Sequence, residues 1–416
     1  MVYCCIDLKS FYASVECVER DLDPFKTNLV VADHTRGDGS ICLAITPAMK
    51  ALGIKNRCRV YEIPKNVEFI TAMPRMKLYM KYSAEIYGVY LNYISKDDIH
   101  IYSVDECFIN LTPYTSFYNK TGKDLAEMLR GAVFEKTGIT ATVGVGTNMF
   151  LAKVALDITA KKTSDGIGVL DEKSFKSSVW FHKPITDIWN IGPGIAKRLE
   201  KYGAYDLYDV TKLEPDLLYK EFGVNAEFLI DHAHGVEPCT MDDIHSYKGK
   251  SHSLSNGQIL FSDYSYEDAL TVMKEMADGL VLELVDRDLT CDSVSLYIGY
   301  SKDVRKSTGA TRKLGLRTNS QKQIWDKLVD MYEETTDKEA PIRRINIGFN
   351  DLSEEREFCL DIFGDEEREE KEESVAKAVI DIKKEFGKNA LMKALSYKEK
   401  ATGKVRNRMV GGHNAG

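Results

Sequence analysis

Over its first ~170 residues the chain alternates short apolar, β-branched runs with amphipathic stretches, and acidic residues stand where those runs end. Val2–Ile6 has the length and composition of a buried strand, and Asp7 follows directly. Residues 99–104 and 107–111 read as two further strands joined by a tight Asp105-Glu106 turn. Residues 10–20 and 122–136 carry helical periodicity, and Ile139–Val145 reads as another strand. Asn148 has the side chain to cap a helix that runs to about Ala160. This order predicts an α+β sheet with helices on one face.

A chain of 416 residues exceeds one core and suits two to four domains. Residues 25–80 interrupt the first pattern with a small α/β unit of their own, and residues 173–240 read as helical, broken at Gly192-Pro193-Gly194. Residues 250–352 form a second α+β unit, with strands expected at 252–261, 291–300 and 342–350 and helices at 265–286 and 320–335. The acidic run 365–373 reads as a linker and residues 374–396 as a final helix.

Composition narrows the class. No apolar run approaches the ~20 residues of a membrane-spanning helix. Val2-Tyr3-Cys4-Cys5-Ile6 opens without a basic leader, so no secretory signal is read. The nine cysteines lack paired spacing, which fits reduced thiols in a cytoplasmic protein and speaks against structural zinc. The formal net charge of −8 is distributed unevenly. Residues 354–373 hold eleven acidic against three basic residues, whereas residues 301–325 hold seven basic residues against Asp303 alone. A basic stripe matters more than a global sum when the partner is a phosphate backbone, although a solvated face has the same composition.

Asp7, Asp105 and Glu106 are the candidate catalytic residues. Acids just beyond buried strands can converge at one sheet edge on rigid backbone. Three hard oxygen donors are what magnesium prefers, with nucleotide phosphates and water completing the octahedron. Two such ions about 4 Å apart can activate a hydroxyl and steady a leaving pyrophosphate. Ordinary turn acids have the same spacing, so spacing alone leaves both readings open.

Here a resemblance enters. Asp7-Leu8-Lys9-Ser10-Phe11-Tyr12-Ala13-Ser14-Val15-Glu16 resembles the opening motif of Y-family DNA polymerases. Ser103-Val104-Asp105-Glu106 resembles their second signature, and Thr142-Val143-Gly144-Val145-Gly146 with Asn148 and Leu151-Ala152-Lys153 resembles the third. The likeness runs from residue 1 to about 350. It implies an α+β multidomain, right-hand polymerase with a ferredoxin-like palm, small fingers, a helical thumb and an α+β little finger. The implied divisions are 1–10 with 81–172 (palm), 11–80 (fingers), 173–245 (thumb), 246–352 (little finger) and 353–416 (tail). By the same analogy Asp7, Asp105, Glu106 and the Leu8 carbonyl hold two magnesium ions. Tyr12 discriminates the sugar, and the amides of Phe11 and Tyr12 hold phosphate oxygens.

The triphosphate grip departs from the family. Where many members carry Tyr-x-x-Arg, this chain has Pro47-Ala48-Met49-Lys50. Lys50 keeps the charge but not the bidentate fork of arginine. A similar replacement marks the UmuC-like branch, which the chain resembles more than DinB-like polymerases. Lys161 matches a family lysine that reaches the triphosphate, with Lys162 beside it.

Asn190 to Leu199 resembles the hairpin of a helix-hairpin-helix, in which Gly192, Gly194 and Lys197 meet a phosphate without reading sequence. Arg305, Lys306, Arg312 and Lys313 fall in the implied little finger and become candidate DNA contacts. Glu357 to Phe363 resembles a sliding-clamp peptide with anchors Leu360, Ile362 and Phe363. The ending from Arg406 to His413 resembles a UmuC-like C-terminal signature of no evident mechanism. The leading expectation is an error-prone translesion polymerase of an SOS-type damage response. It would take primer-template DNA and deoxynucleoside triphosphates, with the clamp and SOS accessory proteins as partners and no membrane. A DNA- and clamp-binding homologue without polymerase activity, and a nucleotide cyclase on a similar sheet, are the alternatives. The hairpin and the basic stripe would have no purpose in a cyclase.

Overall fold

The computed structural model describes residues 1–249, 252–354 and 365–416. The chain divides into two units, Met1–Tyr247 with Ala415–Gly416, and Lys248–Asn414.

The first unit contains β1 (Tyr3–Leu8), β2 (Leu29–Val31), β3 (Ala44–Ile45), β4 (Ile70–Ala72), β5 (Ile99–Ile101), β6 (Glu106–Asn110), β7 (Ala141–Gly146) and β8 (Ile167–Leu170). Five of these form a sheet in the order β5-β6-β1-β7-β8. Its central strand, β1, runs antiparallel to both β6 and β7, while β8 joins β7 in parallel. Apolar residues fill β1 because it is covered on both faces: Tyr3, Cys4, Cys5, Ile6 and Leu8 are all buried. The expected helices on one face are only half of the arrangement. A side chain at Gly122, which opens helix Gly122–Thr137, would press on Val145 of β7. One at the adjacent Gly144 would collide with the Ala152 carbonyl and the Leu156 amide. Neighbouring strand residues point to opposite faces, so helices cover both.

Helix Met149–Val154, capped by Asn148 as its sequence predicts, is shorter than expected and passes into a π turn at Ala155–Thr159. The turn expected at Asp105-Glu106 lies earlier: the Tyr102 and Ser103 amides close it on the Glu106 carbonyl, and Glu106 is already the first residue of β6. Strands β2, β3 and β4 form a separate three-stranded sheet within the segment 25–80, around a core of Val30, Ile45, Met49 and Ile63. From Glu172 onward the unit is helical, with helices Pro193–Glu200, Pro215–Phe222 and Ala226–His234 packing Leu199, Phe222 and Leu229 into a core shared with Phe150.

The second unit contains β9 (Ser253–Tyr264), β10 (Cys291–Tyr300), β11 (Thr308–Thr318), β12 (Ile342–Asn350), β13 (Met409–Val410) and β14 (His413–Asn414). The first four make an antiparallel sheet in the order β11-β10-β12-β9. Helices Tyr266–Asp286 and Gln321–Thr335 share its core through Met276, Leu280, Leu328 and Tyr332. Strand β11 was not foreseen: Arg312, Lys313 and Arg317 interrupt its apolar alternation, and backbone pairing with β10 supplies what the pattern lacks. The acidic run 365–373 is not a linker. It begins the helix Asp365–Phe386, which ends ten residues earlier than expected because Gly387 takes φ 94°.

Candidate active site

Pairing of β1 with β6 places Asp7 directly opposite Glu106. Asp105 precedes Glu106, and its carbonyl accepts the Leu8 amide at 2.9 Å. The Asp105 carboxylate accepts from Ser103 Oγ at 2.7 Å, so Ser103 of the second motif orients it. Backbone pairing alone therefore gathers the three acids at one sheet edge. Burial, then the Asp105 and Glu106 charges, push the Asp7 carboxyl up to about 7, against the opposing pull of Lys153.

The third motif delivers that lysine. Gly144, Gly146 and Gly168 let the backbone of residues 151–160 approach where any Cβ would collide. The close approach brings Lys153 Nζ to 2.6 Å from Glu106 Oε1 and 3.2 Å from Asp157 Oδ2. Burial works against the Lys153 ammonium, yet the Cys5 thiol, Glu106 and Asp157 together raise its pKa. Cys5, fully buried on β1, donates from its Sγ to the same Glu106 oxygen at 3.0 Å.

Among the described residues, no group of three His, Cys, Asp or Glu side chains is gathered tightly enough to form a ready metal cage. The chemistry of the set still fits magnesium, which binds through one or two carboxylates and completes its shell with water and substrate phosphates. Mutual repulsion among Asp7, Asp105 and Glu106 is the imbalance a divalent cation relieves.

Tyr12 lies on helix Phe11–Val18, which Ser10 enters in the left-handed conformation and which no side chain caps. Its first amides, Phe11 and Tyr12 among them, donate to no capping side chain. Lys50 is exposed, and desolvation lowers its pKa, with Lys9 and Lys161 adding repulsion and Asp7 opposing. Lys9 and Lys161 thus both stand near Lys50. Lys9 was not singled out from the sequence, since one lysine in a motif resembles any other.

Elsewhere in the first unit, Gly192 caps helix Pro193–Glu200 with open space around it and around Gly194, and Lys197 is exposed. Arg198 instead turns inward, donating to the Glu221 carbonyl at 2.9 Å. In the second unit Lys306 is exposed, Arg305 pairs with Asp337, Arg312 lies 3.5 Å from Glu334, and Lys313 lies 3.5 Å from Asp292. The suggested clamp anchors Leu360, Ile362 and Phe363 lie outside the described residues.

Acids at the ends of adjacent sheet strands, with a separate α+β unit whose strand β11 is basic, are the parts of a nucleotidyl-transferring class of protein. Residues 6–157 match the impB/mucB/samB family and residues 251–361 its C-terminal domain. The chain is 27% identical over 417 residues to "DNA polymerase IV 2" of Bacillus subtilis (strain 168), covering 98% of this chain and 97% of that protein. It is 31% identical over 182 residues to "DNA repair protein homolog YobH" of the same organism, covering 43% of this chain and 82% of the relative. A solved Y-family DNA polymerase chimera, Dbh-Dpo4(243-245)-Dbh, shares the fold with a TM-score of 0.62 at 21% identity, over 85% of this chain and 99% of that one. The chain belongs to the impB/mucB/samB family of Y-family DNA polymerases.

Proposed function

We propose that this chain is a DNA-directed DNA polymerase that adds deoxynucleotides to a primer 3′-hydroxyl on damaged as well as intact templates, in an SOS-type response in the cytoplasm. The observation that carries the reading is the cross-strand pair Asp7–Glu106 with Asp105 beside it, at the ends of adjacent strands. Asp7, Asp105, Glu106 and the Leu8 carbonyl would hold two magnesium ions, which when bound supply an activated 3′-oxygen and charge relief for departing pyrophosphate. Lys153 holds Glu106 in place, and Ser103 aims Asp105. Lys50, Lys161 and Lys9, with the amides of Phe11 and Tyr12, would hold the triphosphate, and Tyr12 would meet the sugar.

On this reading, residues 1–10 and 81–172 act as palm, 11–80 as fingers, 173–245 as thumb and 246–352 as little finger. Gly192, Gly194 and Lys197 would take one stretch of DNA backbone; Lys306, Arg312 and Lys313 on and before β11 would take another, with Arg305 braced by Asp337. The segment containing Leu360, Ile362 and Phe363 would dock a sliding clamp, and SOS accessory proteins would be further partners. Primer extension with magnesium on intact and abasic templates tests this. Extension by the wild type that vanishes in Asp105→Asn, with DNA binding kept, is the expected result. A folded, DNA-binding wild type that extends nothing, even with clamp added, would reject it.

A further inference from the structure

Helix Met76–Leu91 carries Tyr79 under Tyr12, with ring centroids 4.5 Å apart and planes 14° from parallel. The Tyr79 side chain is wholly buried, and its hydroxyl donates to Glu16 Oε1 at 2.7 Å. Glu16 stands four residues after Tyr12, one turn along the same helix, and is itself 0% exposed. An isolated carboxylate there would be costly. Burial does raise the pKa of Glu16, but hydrogen bonds from Arg75, Tyr79 and Arg20 outweigh it and leave the pKa lowered. Arg75 makes two of those bonds, Nε to Oε1 at 2.9 Å and Nη2 to Oε2 at 2.8 Å. The fork also fixes where the carboxylate points, because a guanidinium binds two oxygens in one plane. Arg20 adds a third cationic contact from the next turn of the chain.

Exclusion of a ribose by an aromatic ring works only as far as the ring resists displacement. When a 2′-hydroxyl presses on it, the penalty is the smaller of two costs, the clash itself and the retreat of the ring. At this separation Tyr12 cannot recede without moving Tyr79, and Tyr79 is pinned by a buried carboxylate that Arg75 and Arg20 also hold. We propose that Tyr79 is a positioning residue for sugar discrimination, a rigid backing for Tyr12 that Glu16 and Arg75 lock between the two helices. The inference rests on the reading of Tyr12 as the residue that meets the sugar. It also gives Glu16, the last residue of the opening motif, a task distant from the metal acids.

The test is single-nucleotide insertion of matched ribo- and deoxynucleotides by the full chain, read as the ratio of their kcat/KM values. Variants are Tyr12→Ala, Tyr79→Leu, Tyr79→Phe and Glu16→Gln, each checked for folding by circular dichroism. Tyr79→Leu, which keeps apolar volume but loses the flat ring and the hydroxyl, is expected to favour ribonucleotides by about ten-fold over wild type. Tyr79→Phe and Glu16→Gln, which keep the stack and weaken its anchor, are expected to shift the ratio in the same direction by about three-fold. In a Tyr12→Ala background Tyr79→Leu should add nothing, since the two residues act in series. A merely structural role would lower both rates together and leave the ratio alone. Wild-type ratios in the folded Tyr79 variants, with selectivity lost in Tyr12→Ala, would overturn the proposal while sparing the role of Tyr12. An unchanged ratio in Tyr12→Ala would overturn both. Should Tyr79→Leu fail to fold, Tyr79→Phe and Glu16→Gln decide the matter by the same ratio.

Discussion

Lys153 Nζ lies 2.6 Å from Glu106 Oε1, and both side chains keep only about a tenth of their surface exposed. The pair holds one acid of the site in place; among the described residues Asp7 and Asp105 have no cation so close. Its second partner, Asp157, comes from the π turn that follows helix Met149–Val154. Asp157 stands four residues after Lys153, the spacing at which side chains meet along one helical face.

Lys153→Met is expected to leave a nearly buried carboxylate unpaired, at a cost of about 3 kcal/mol or more. Urea unfolding measures the loss. It should shrink when magnesium is added, because a cation bound beside Glu106 would replace part of the missing charge. Equal losses with and without magnesium would detach Lys153 from the metal site.

Asp7 sets a pH dependence. Its carboxyl is raised from an ordinary value of 3.8 to about 7, so in the metal-free protein the folded state holds a proton the unfolded chain has lost across that window. Stability should therefore fall as pH rises from about 4 to about 7, the opposite of a salt-bridged aspartate. Thermal melts of wild type and Asp7→Asn with a chelator present check this, and the fall should flatten in the variant. Magnesium should stabilise the wild type more at pH 8 than at pH 5, since protons compete for its ligand.

Gly144→Ala should be poorly tolerated. The new methyl would meet the Ala152 carbonyl and the Leu156 amide, both backbone, so the helix must move rather than a side chain. A loss of about 2–3 kcal/mol is expected, as for overpacking of a tight core. The displacement would also carry Lys153 from Glu106, so nucleotide addition should fall more than the folded fraction does. Gly131→Ala, on helix Gly122–Thr137 with open space around it, serves as the tolerant control.

In the second unit, Glu275 Oε2 accepts the Thr402 amide at 2.8 Å and the Gly403 amide at 3.0 Å, while Arg406 donates to the Glu275 carbonyl at 3.0 Å. The Arg406-to-His413 ending of no evident mechanism therefore begins inside the unit it follows. Glu275→Leu should strand two buried amides at about 1–3 kcal/mol each. Limited trypsin digestion is expected to cut the variant at Lys398, Lys400 and Lys404 well before the wild type, and equal rates would show that Glu275 does not anchor the segment.

Several features of this protein were determined by sequence alone. The burial of β1 followed from its unbroken apolar run, and the three acids stood out because charge interrupts such runs. Asn148 capped its helix as its side chain predicts, since capping is decided within four residues. The boundaries of β12 and of helices Tyr266–Asp286 and Gln321–Thr335 were legible for the same reason, as local periodicity and turn residues agreed there. What tertiary structure decided is of another kind. Strand β11 carries a charged pattern that says little locally, and it exists because β10 supplies backbone partners. The opposition of Asp7 and Glu106 needs the register of strands 99 residues apart, and the Lys153 contact needs three glycines on two strands to admit a helix. Tyr79 reads as any core aromatic on a helix; only packing brings it beneath Tyr12 and closes its hydroxyl on Glu16. Contacts between residues distant in sequence leave no periodic trace, because periodicity records which face of an element is buried and not what buries it.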